Sequence, residues 1–316
     1  MIRFGIIGCG NIGSKRILSI INDKGSKLEY IIGPKTKKRN SDCNGKKLAK
    51  KFNCIFSTDR EMLIKSDVDA VILSTGPTLF KKIGSEILKS GKHLLIEKPL
   101  GVSLKDAEFL TDIANRKNLI LKTGFNLRFD SAIMEAKRIV DKKKIGKIYF
   151  IKSIYVNGSV KTNKNKVGAL SDIGSHSLNL IEFFLNKNIE NFYCKKISHE
   201  HQKDDNGFMI IKINKVLSFI HFSFVRWKNK FSFEISGDKG YLKIDSLPKW
   251  GKQTLTFGKR VFPSGKPKTI KKYYYKENSW RNEWIYFKKL IKNFDTSSNL
   301  EGLSNMRIVN KINKSN

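Results

Sequence analysis

The sequence predicts an α/β part followed by an α+β part: a doubly wound parallel sheet over residues 1–123, then a mainly antiparallel open sheet over residues 124–316 with helices on one face. Three observations carry this. The apolar run Phe4-Gly5-Ile6-Ile7 enters Gly8-x-Gly10-x-x-Gly13 and then a helix-like stretch from Asn11 to about Asn22. Apolar strands alternate with helical patches as far as Lys122. From Ile189 to Lys276 the pattern turns to strand after strand.

The first of these is a strand, a tight turn and a helix start, the arrangement of a dinucleotide-binding fingerprint. One glycine permits the turn, the second lets backbone amides approach a pyrophosphate, and the third lets helix and strand pack closely. The helix start, Asn11 and Ile12 included, offers N–H donors to the phosphates. A second strand follows over Leu28–Ile32, helical patches over 46–52 and 59–64, and a short strand near 54–56 between them. Asp69 to Thr75 is a buried-strand run that ends in Gly76-Pro77. A helix over 79–90 closes at Gly91, His93–Ile96 is a strand, 103–118 a helix and 119–122 a further strand.

Beyond Gly124 come a helix over about 131–142, a strand over 148–156 and a helix over 172–185. Strands follow over 206–213, 216–224, 231–235 and 241–245, with weaker ones over 254–257 and 270–275. Gly237-Asp238-Lys239-Gly240 has the chemistry of a hairpin turn. Helices over 280–294 and 303–312 end the chain, the last able to pack back on the first domain.

A chain of 316 residues has room for two domains, and its 40% hydrophobic fraction is ordinary. No apolar run approaches the ~20 residues that span a bilayer, so a cytoplasmic protein without a membrane partner is expected. Cys9, Cys43, Cys54 and Cys194 lack metal-ligand or redox spacing and read as reduced, incidental thiols, with no metal expected. The net charge of +34 invites a polyanion partner. The lysines, however, are spread along the whole chain without a nucleic-acid-binding signature, so no nucleic acid is expected.

Two constellations carry chemistry. Glu97-Lys98-Pro99 stands at the carboxyl end of a parallel strand, where open α/β sheets bind ligands. Lys98 there could meet both a nicotinamide and a substrate hydroxyl; a surface lysine after a strand gives the same pattern. Asp172 and His176 are four apart at a helix start, so they project from one face. A neutral imidazole can accept an alcohol proton while a carboxylate orients it. The spacing equally fits an N-cap aspartate and a satisfied, half-buried histidine.

With the glycine loop, Ser74-Thr75-Gly76-Pro77, Glu97-Lys98-Pro99-Leu100, Gly124-Phe125-Asn126-Leu127-Arg128-Phe129 and the Asp172–His176 helix start, the chain resembles the Gfo/Idh/MocA oxidoreductases, the glucose-fructose oxidoreductase and inositol dehydrogenase group. Gly237–Gly240 and Trp280-Arg281-Asn282-Glu283 stand where that family has similar features. The resemblance implies a Rossmann domain, a larger open-sheet domain, and a catalytic group of Lys98, Asp172 and His176. It implies hydride transfer between a nicotinamide and a hydroxyl or keto carbon of a sugar, cyclitol or nucleotide sugar, in a homodimer or homotetramer. Residues 124–129 are closest in wording to members found with surface-polysaccharide genes. Gly8, Gly10, Asn11, Ile12, Gly13, Lys35, Thr36, Thr75, Pro77, Glu97 and Lys98 would hold the cofactor. Lys98, Asn126, Arg128, Asp172 and His176 would meet the substrate.

The sequence departs from that pattern in three places. The second strand ends Ile32-Gly33-Pro34 and Lys35-Thr36-Lys37-Lys38-Arg39 follows, without the acid that selects NAD; cations and a threonine suit a 2′-phosphate, so the cofactor is read as NAD(P) with a lean to NADP. Phe80 stands where many relatives carry histidine, and Lys161–Lys166 replace the Trp and Arg often found in that loop. A relative that binds cofactor without turnover and a charge-driven polyanion binder are the competing readings.

Overall fold

The computed structural model describes residues 1–34, 44–160 and 167–315, and the chain divides into two compact units. The first is Met1–Phe125 with Trp280–Arg307, the second Asn126–Ser279 with Ile308–Asn316.

In the first unit the elements run β1 (Ile2–Ile7), α1 (Asn11–Ile20), β2 (Ser26–Ile32), α2 (Gly45–Phe52), β3 (Ile55–Ser57), α3 (Glu61–Lys65), β4 (Ala70–Leu73), α4 (Phe80–Lys89), β5 (His93–Ile96), α5 (Leu104–Arg116) and β6 (Leu121–Thr123). All strand pairs are parallel, in the order β3-β2-β1-β4-β5-β6, so the direction of winding reverses between β1 and β4. Helices cover both faces, and the central strands β4 and β5 are therefore nearly continuous apolar runs. Alternate residues feed opposite layers: Val71, Leu73, Leu94 and Ile96 pack with Phe80 and Leu110, while Ala70, Ile72 and Leu95 pack with Phe4, Ile17 and Ile20.

The second unit holds α6 (Ser131–Asp141), β7 (Ile148–Val156), α7 (Ser175–Leu185), β8 (Asn191–Ile197), β9 (Asn206–Ile213), β10 (Val216–Ser223), β11 (Lys230–Gly237), β12 (Gly240–Asp245), β13 (Gln253–Lys259) and β14 (Lys268–Tyr274). Its eight-stranded sheet has the order β14-β13-β12-β11-β7-β10-β9-β8 and is antiparallel except at β7–β10. Period-two alternation puts Met209, Ile211, Ile220 and Phe222 into the core with α6 and α7, while Phe208, Ile210 and Leu217 face outward. Gly237 pairs with Gly240, so Asp238-Lys239 is a two-residue hairpin turn, and Asp238 Oδ1 accepts from the Lys147 N–H at 2.7 Å. α6 is capped by Asp130, whose Oδ1 accepts from the N–H groups of Ala132 and Ile133 and from Gln253 Nε2.

The chain then returns to the first unit. α8 (Ser279–Asn293) inserts a fully buried Trp284 beside Phe4, with ring centroids 4.7 Å apart, and its Nε1 donates to Ser26 Oγ at 2.8 Å. The exposed edge of β6 is closed by the turn Thr296–Leu300: Asn299 accepts from the Leu121 N–H at 2.7 Å and donates to the Leu119 carbonyl at 3.0 Å. Leu303 and Met306 of α9 (Glu301–Ser315) join a layer of the first unit, and Ile308, Val309 and Ile312 the core of the second. The sequence reading placed residues 124–316 in one domain with a terminal helix over about 303–312 able to pack back on the first; residues 280–307 group with the first unit, α8 bringing Trp284 and Phe287 into the layer that contains Phe4 and Ile17.

Cys54 and Cys194 are free, but Cys9 is disulfide-bonded, a departure from four reduced thiols. Spacing along the chain does not reveal which cysteines the fold brings near one another. Cys43, Lys35, Thr36 and Lys161–Lys166 lie outside the described residues.

Candidate active site

At the carboxyl end of β1 each glycine has a distinct steric cause. Gly8 has φ +99°, and a Cβ there would lie 2.7 Å from the Ser74 carbonyl carbon and oxygen. A Cβ on Gly13 would lie 2.0 Å from the Gly8 carbonyl oxygen. Gly10, the N-cap of α1, has no atom within 4 Å of its Cβ position. The first turn of α1 carries no side-chain cap and no acidic residue, so its N–H groups stand open to an anion. Asn11 and Ile12, both exposed, begin that turn. Ser74 Oγ donates to the Gly8 carbonyl at 2.7 Å and ties the end of β4 to the loop. Thr75, Gly76 and Pro77 follow, with Pro77 opening a single 3₁₀ turn. The β1 and β4 ends are neighbours at the point where the sheet reverses, which is where a doubly wound sheet receives a dinucleotide. The uncapped helix start, the open space at Gly10 and the close packing at Gly13 fit such a ligand.

At the neighbouring strand end β2 closes on Ile32-Gly33-Pro34 without a carboxylate. A Cβ on Gly33 would lie 2.8 Å from the Phe56 ring, so a side chain at that position requires the ring to move. Phe80 is buried in the apolar layer with Val71 and Leu94.

Glu97 and Lys98 leave β5 at the same edge of the sheet, both half-buried. The Glu97 N–H donates to the Leu73 carbonyl at 2.9 Å, and the Lys98–Pro99 bond is cis. The Glu97 carboxylate accepts from Arg16 Nε at 2.5 Å, and Arg16 Nη1 donates to Glu283 at 2.9 Å. Glu283 lies 3.7 Å from Lys122 Nζ, which stands 2.9 Å from Glu301. Arg16, Glu283 and Lys122 are buried. Burial opposes the charge on Arg16, yet Glu97 and Glu283 outweigh it and hold the guanidinium above its ordinary pKa. Burial pushes the Glu283 carboxyl up, beyond what Arg16 and Lys122 offset. Sequence reasoning missed Arg16, Lys122, Glu283 and Glu301. The available signal was phase: Arg16 shares the buried side of α1 with Gly13, Ile17 and Ile20, and Lys122 follows the apolar Leu119-Ile120-Leu121.

In the second unit Asp172 is not an N-cap. It sits inside a one-turn π-helix, Leu170–Gly174, that runs into α7, and its N–H donates to the Gly168 carbonyl at 3.0 Å. Such wide turns recur at functional positions. His176, the second residue of α7, is 7% exposed, with its ring 6.1 Å from that of Tyr155. Tyr155 Oη accepts from Lys249 Nζ at 3.1 Å, a pairing that sequence reasoning also missed. Asn126 donates to Ser279 Oγ at 2.7 Å, and the Arg128 guanidinium lies 5.0 Å over the Phe183 ring. Among the described residues no group of three or more His, Cys, Asp and Glu is placed to hold a metal ion, and no helix is long and apolar enough to cross a membrane.

Residues 2–125 match the oxidoreductase family with an NAD-binding Rossmann fold, and residues 133–243 match the GFO/IDH/MocA C-terminal domain. The inositol 2-dehydrogenase/D-chiro-inositol 3-dehydrogenase of Shouchella clausii is 24% identical over 260 residues, covering 78% of this chain and 73% of that protein. The 3-ketoreductase of Actinomadura kijaniata, solved with NADP and TDP-benzene, superposes with a TM-score of 0.81 at 18% identity, over 99% of this chain and 97% of that one. The UDP-N-acetylglucosamine 3-dehydrogenase of Acidithiobacillus ferrooxidans does so with a TM-score of 0.80 at 17% identity, over 98% and 95%.

Proposed function

The chain belongs to the GFO/IDH/MocA oxidoreductase family, with its NAD-binding Rossmann fold, and from that premise we propose that it oxidises or reduces one carbon of a sugar, cyclitol or nucleotide sugar through Lys98, Asp172 and His176. The observation that carries this is the uncapped glycine-loop helix start, with Glu97 and Lys98 leaving β5 at the same sheet edge. A bound nicotinamide supplies or accepts the hydride. Lys98 holds the substrate oxygen and stabilises charge that develops on it. The His176 imidazole takes the hydroxyl proton in oxidation and returns it in reduction, and Asp172 orients the pair. Asn126 and Arg128 border the substrate.

NADP is the favoured dinucleotide. The support is the missing carboxylate at the end of β2, where Gly33 stands against the Phe56 ring, and the cationic sequence beginning Lys35-Thr36. The relatives support a sugar-like substrate through their printed activities. A homodimer or homotetramer is supported by the outward sheet face of the second unit, where Tyr193, Phe208, Ile210 and Leu217 are each about half exposed on neighbouring strands. A cytosolic setting, where nicotinamide dinucleotides are held, completes the reading.

The test follows nicotinamide absorbance over a panel of sugars, cyclitols and nucleotide sugars with NAD and NADP, for the wild type, Lys98→Met and His176→Ala. Turnover by the wild type and a loss of roughly 10²-fold or more in each variant, with cofactor affinity kept in His176→Ala, is expected. Cofactor binding without turnover of any panel member would favour the competing cofactor-holding relative.

A further inference from the structure

The five charged groups Glu97, Arg16, Glu283, Lys122 and Glu301 alternate in sign along one line of contacts, and only the two ends reach solvent. The side chains of Arg16, Glu283 and Lys122 are at most 2% exposed, whereas those of Glu97 and Glu301 are 16% and 13% exposed. They come from α1, the end of β5, α8, β6 and the start of α9, so each belongs to a different element of the first unit. Three carboxylates against two cations leave an excess of one negative charge in a nearly dry site. Such a network is poor value as a source of stability, because apolar groups of the same volume would serve as well or better. What it supplies is geometry. Arg16 binds Glu97 through Nε and Glu283 through Nη1, a forked donor held in one orientation. Gly124 closes the remaining side: a Cβ there would be 2.6 Å from Arg16 Nη2 and 3.3 Å from Glu97 Oε2. Lys122 Nζ also donates to the Thr123 carbonyl at 2.6 Å, which locks the ammonium to its own strand.

We propose that Arg16, Glu283 and Lys122 are positioning residues for the reaction: by clamping the Glu97 carboxylate they fix the backbone that carries Lys98 and keep the Glu97 charge from capturing the Lys98 ammonium. This rests on the reading of Lys98 as the group that meets the substrate oxygen. The clamp runs from Glu283 of α8 through Arg16 of α1 to Glu97 at the end of β5. Glu97 is thereby held at two points, its N–H on the Leu73 carbonyl and its carboxylate on Arg16, and Lys98 is the next residue.

Acetylation by acetic anhydride, resolved to the Lys98 peptide and followed against pH by mass spectrometry, reads this lysine without substrate or turnover. In Arg16→Met the Glu97 carboxylate loses its guanidinium, and the Lys98 labelling midpoint should rise by about one pH unit, a roughly tenfold slower reaction below it. Arg16→Lys should restore most of the shift. Arg16→Met/Glu97→Gln should abolish it, because the effect passes through Glu97. An unchanged midpoint in folded Arg16→Met, or a shift that persists without the Glu97 charge, overturns the proposal. Glu283→Gln keeps the side-chain shape and provides the second measurement. Amide exchange over residues 97–102 should quicken about fivefold or more while α5 is unaffected, and unaltered exchange there counts equally against the clamp. Neither readout involves catalysis, so an error in the role given to Lys98 shows in the substrate panel alone.

Discussion

Replacing Gly10 and Gly13 by alanine, one at a time, should separate ligand binding from folding within a single loop. At Gly13 the new methyl would lie 2.0 Å from the Gly8 carbonyl oxygen and 2.7 Å from Ser74 Oγ. One of these atoms is backbone, so α1 must shift from β1. Overpacking of this kind costs about 1–3 kcal/mol and more where backbone must move, so a loss of about 3 kcal/mol is expected, or roughly 6–12 °C in Tm. At Gly10 the methyl meets nothing within 4 Å, and the backbone, at φ −70° and ψ −164°, is open to any residue. Alanine there should cost about 0.5–1 kcal/mol as an N-cap and leave the fold intact. The same methyl would stand over the N–H groups that a pyrophosphate needs. Losing two charge-assisted hydrogen bonds at about 1.5–3 kcal/mol each predicts roughly 10²–10⁴-fold weaker NADPH binding. Thermal unfolding and nicotinamide fluorescence titration measure the two quantities independently. Wild-type affinity in a folded Gly10→Ala protein would refute the assignment of the loop to a dinucleotide, and a wild-type Tm in Gly13→Ala would refute the packing argument.

The Asp130 carboxyl is pushed from 3.8 up to about 6, chiefly by burial, against the hydrogen bonds from Ile133 and Gln253 that favour its charge. A folded pKa above the unfolded one means that stability falls as pH rises from about 4 to about 6 and levels off beyond. Asp130→Asn keeps an acceptor for all three bonds, so it should remove that slope and stabilise the second unit by up to about 3 kcal/mol at neutral pH; equal slopes in urea titrations of both proteins would contradict this. Trp284→Ala empties a fully buried site against Phe4 and should cost the first unit about 4 kcal/mol, read as an earlier thermal transition of that unit. Phe208→Glu on the outward sheet face should shift a dimer or tetramer toward monomer in light scattering, and an unaltered mass would place the oligomer contact elsewhere.

Periodicity made most of this fold readable. The continuous apolar runs of β4 and β5 announce fully buried strands, whereas β9 alternates in burial but not in residue type, since Phe208 and Ile210 face outward. Helix α9 was legible only over its apolar middle; its polar ends, from Glu301 and to Ser315, stay helical without a pattern to reveal them. The glycine loop was readable because backbone geometry restricts residue choice there. The charged line from Glu97 to Glu301 was not, since Arg16 and Glu283 are 267 residues apart and nothing local records their meeting. Asp172 shows the opposite limit: its spacing from His176 was visible, but the wide turn that holds it depends on hydrogen bonds that residue identity does not encode.

The return of residues 280–307 to the first unit also has a temporal side. Residues 1–125 leave the ribosome first, yet at that stage Arg16 and Lys122 lack Glu283 and Glu301, and the Leu121 amide lacks Asn299. An amino-terminal fragment of that length would hold Arg16 with Glu97 alone, Lys122 without Glu283 and Glu301, and an open strand edge, a feature that retains chaperones and invites aggregation. Translation therefore completes the second unit's stretch of chain before the first can close. A stop codon anywhere before Glu301 removes the dinucleotide domain's own last pieces along with the carboxyl terminus.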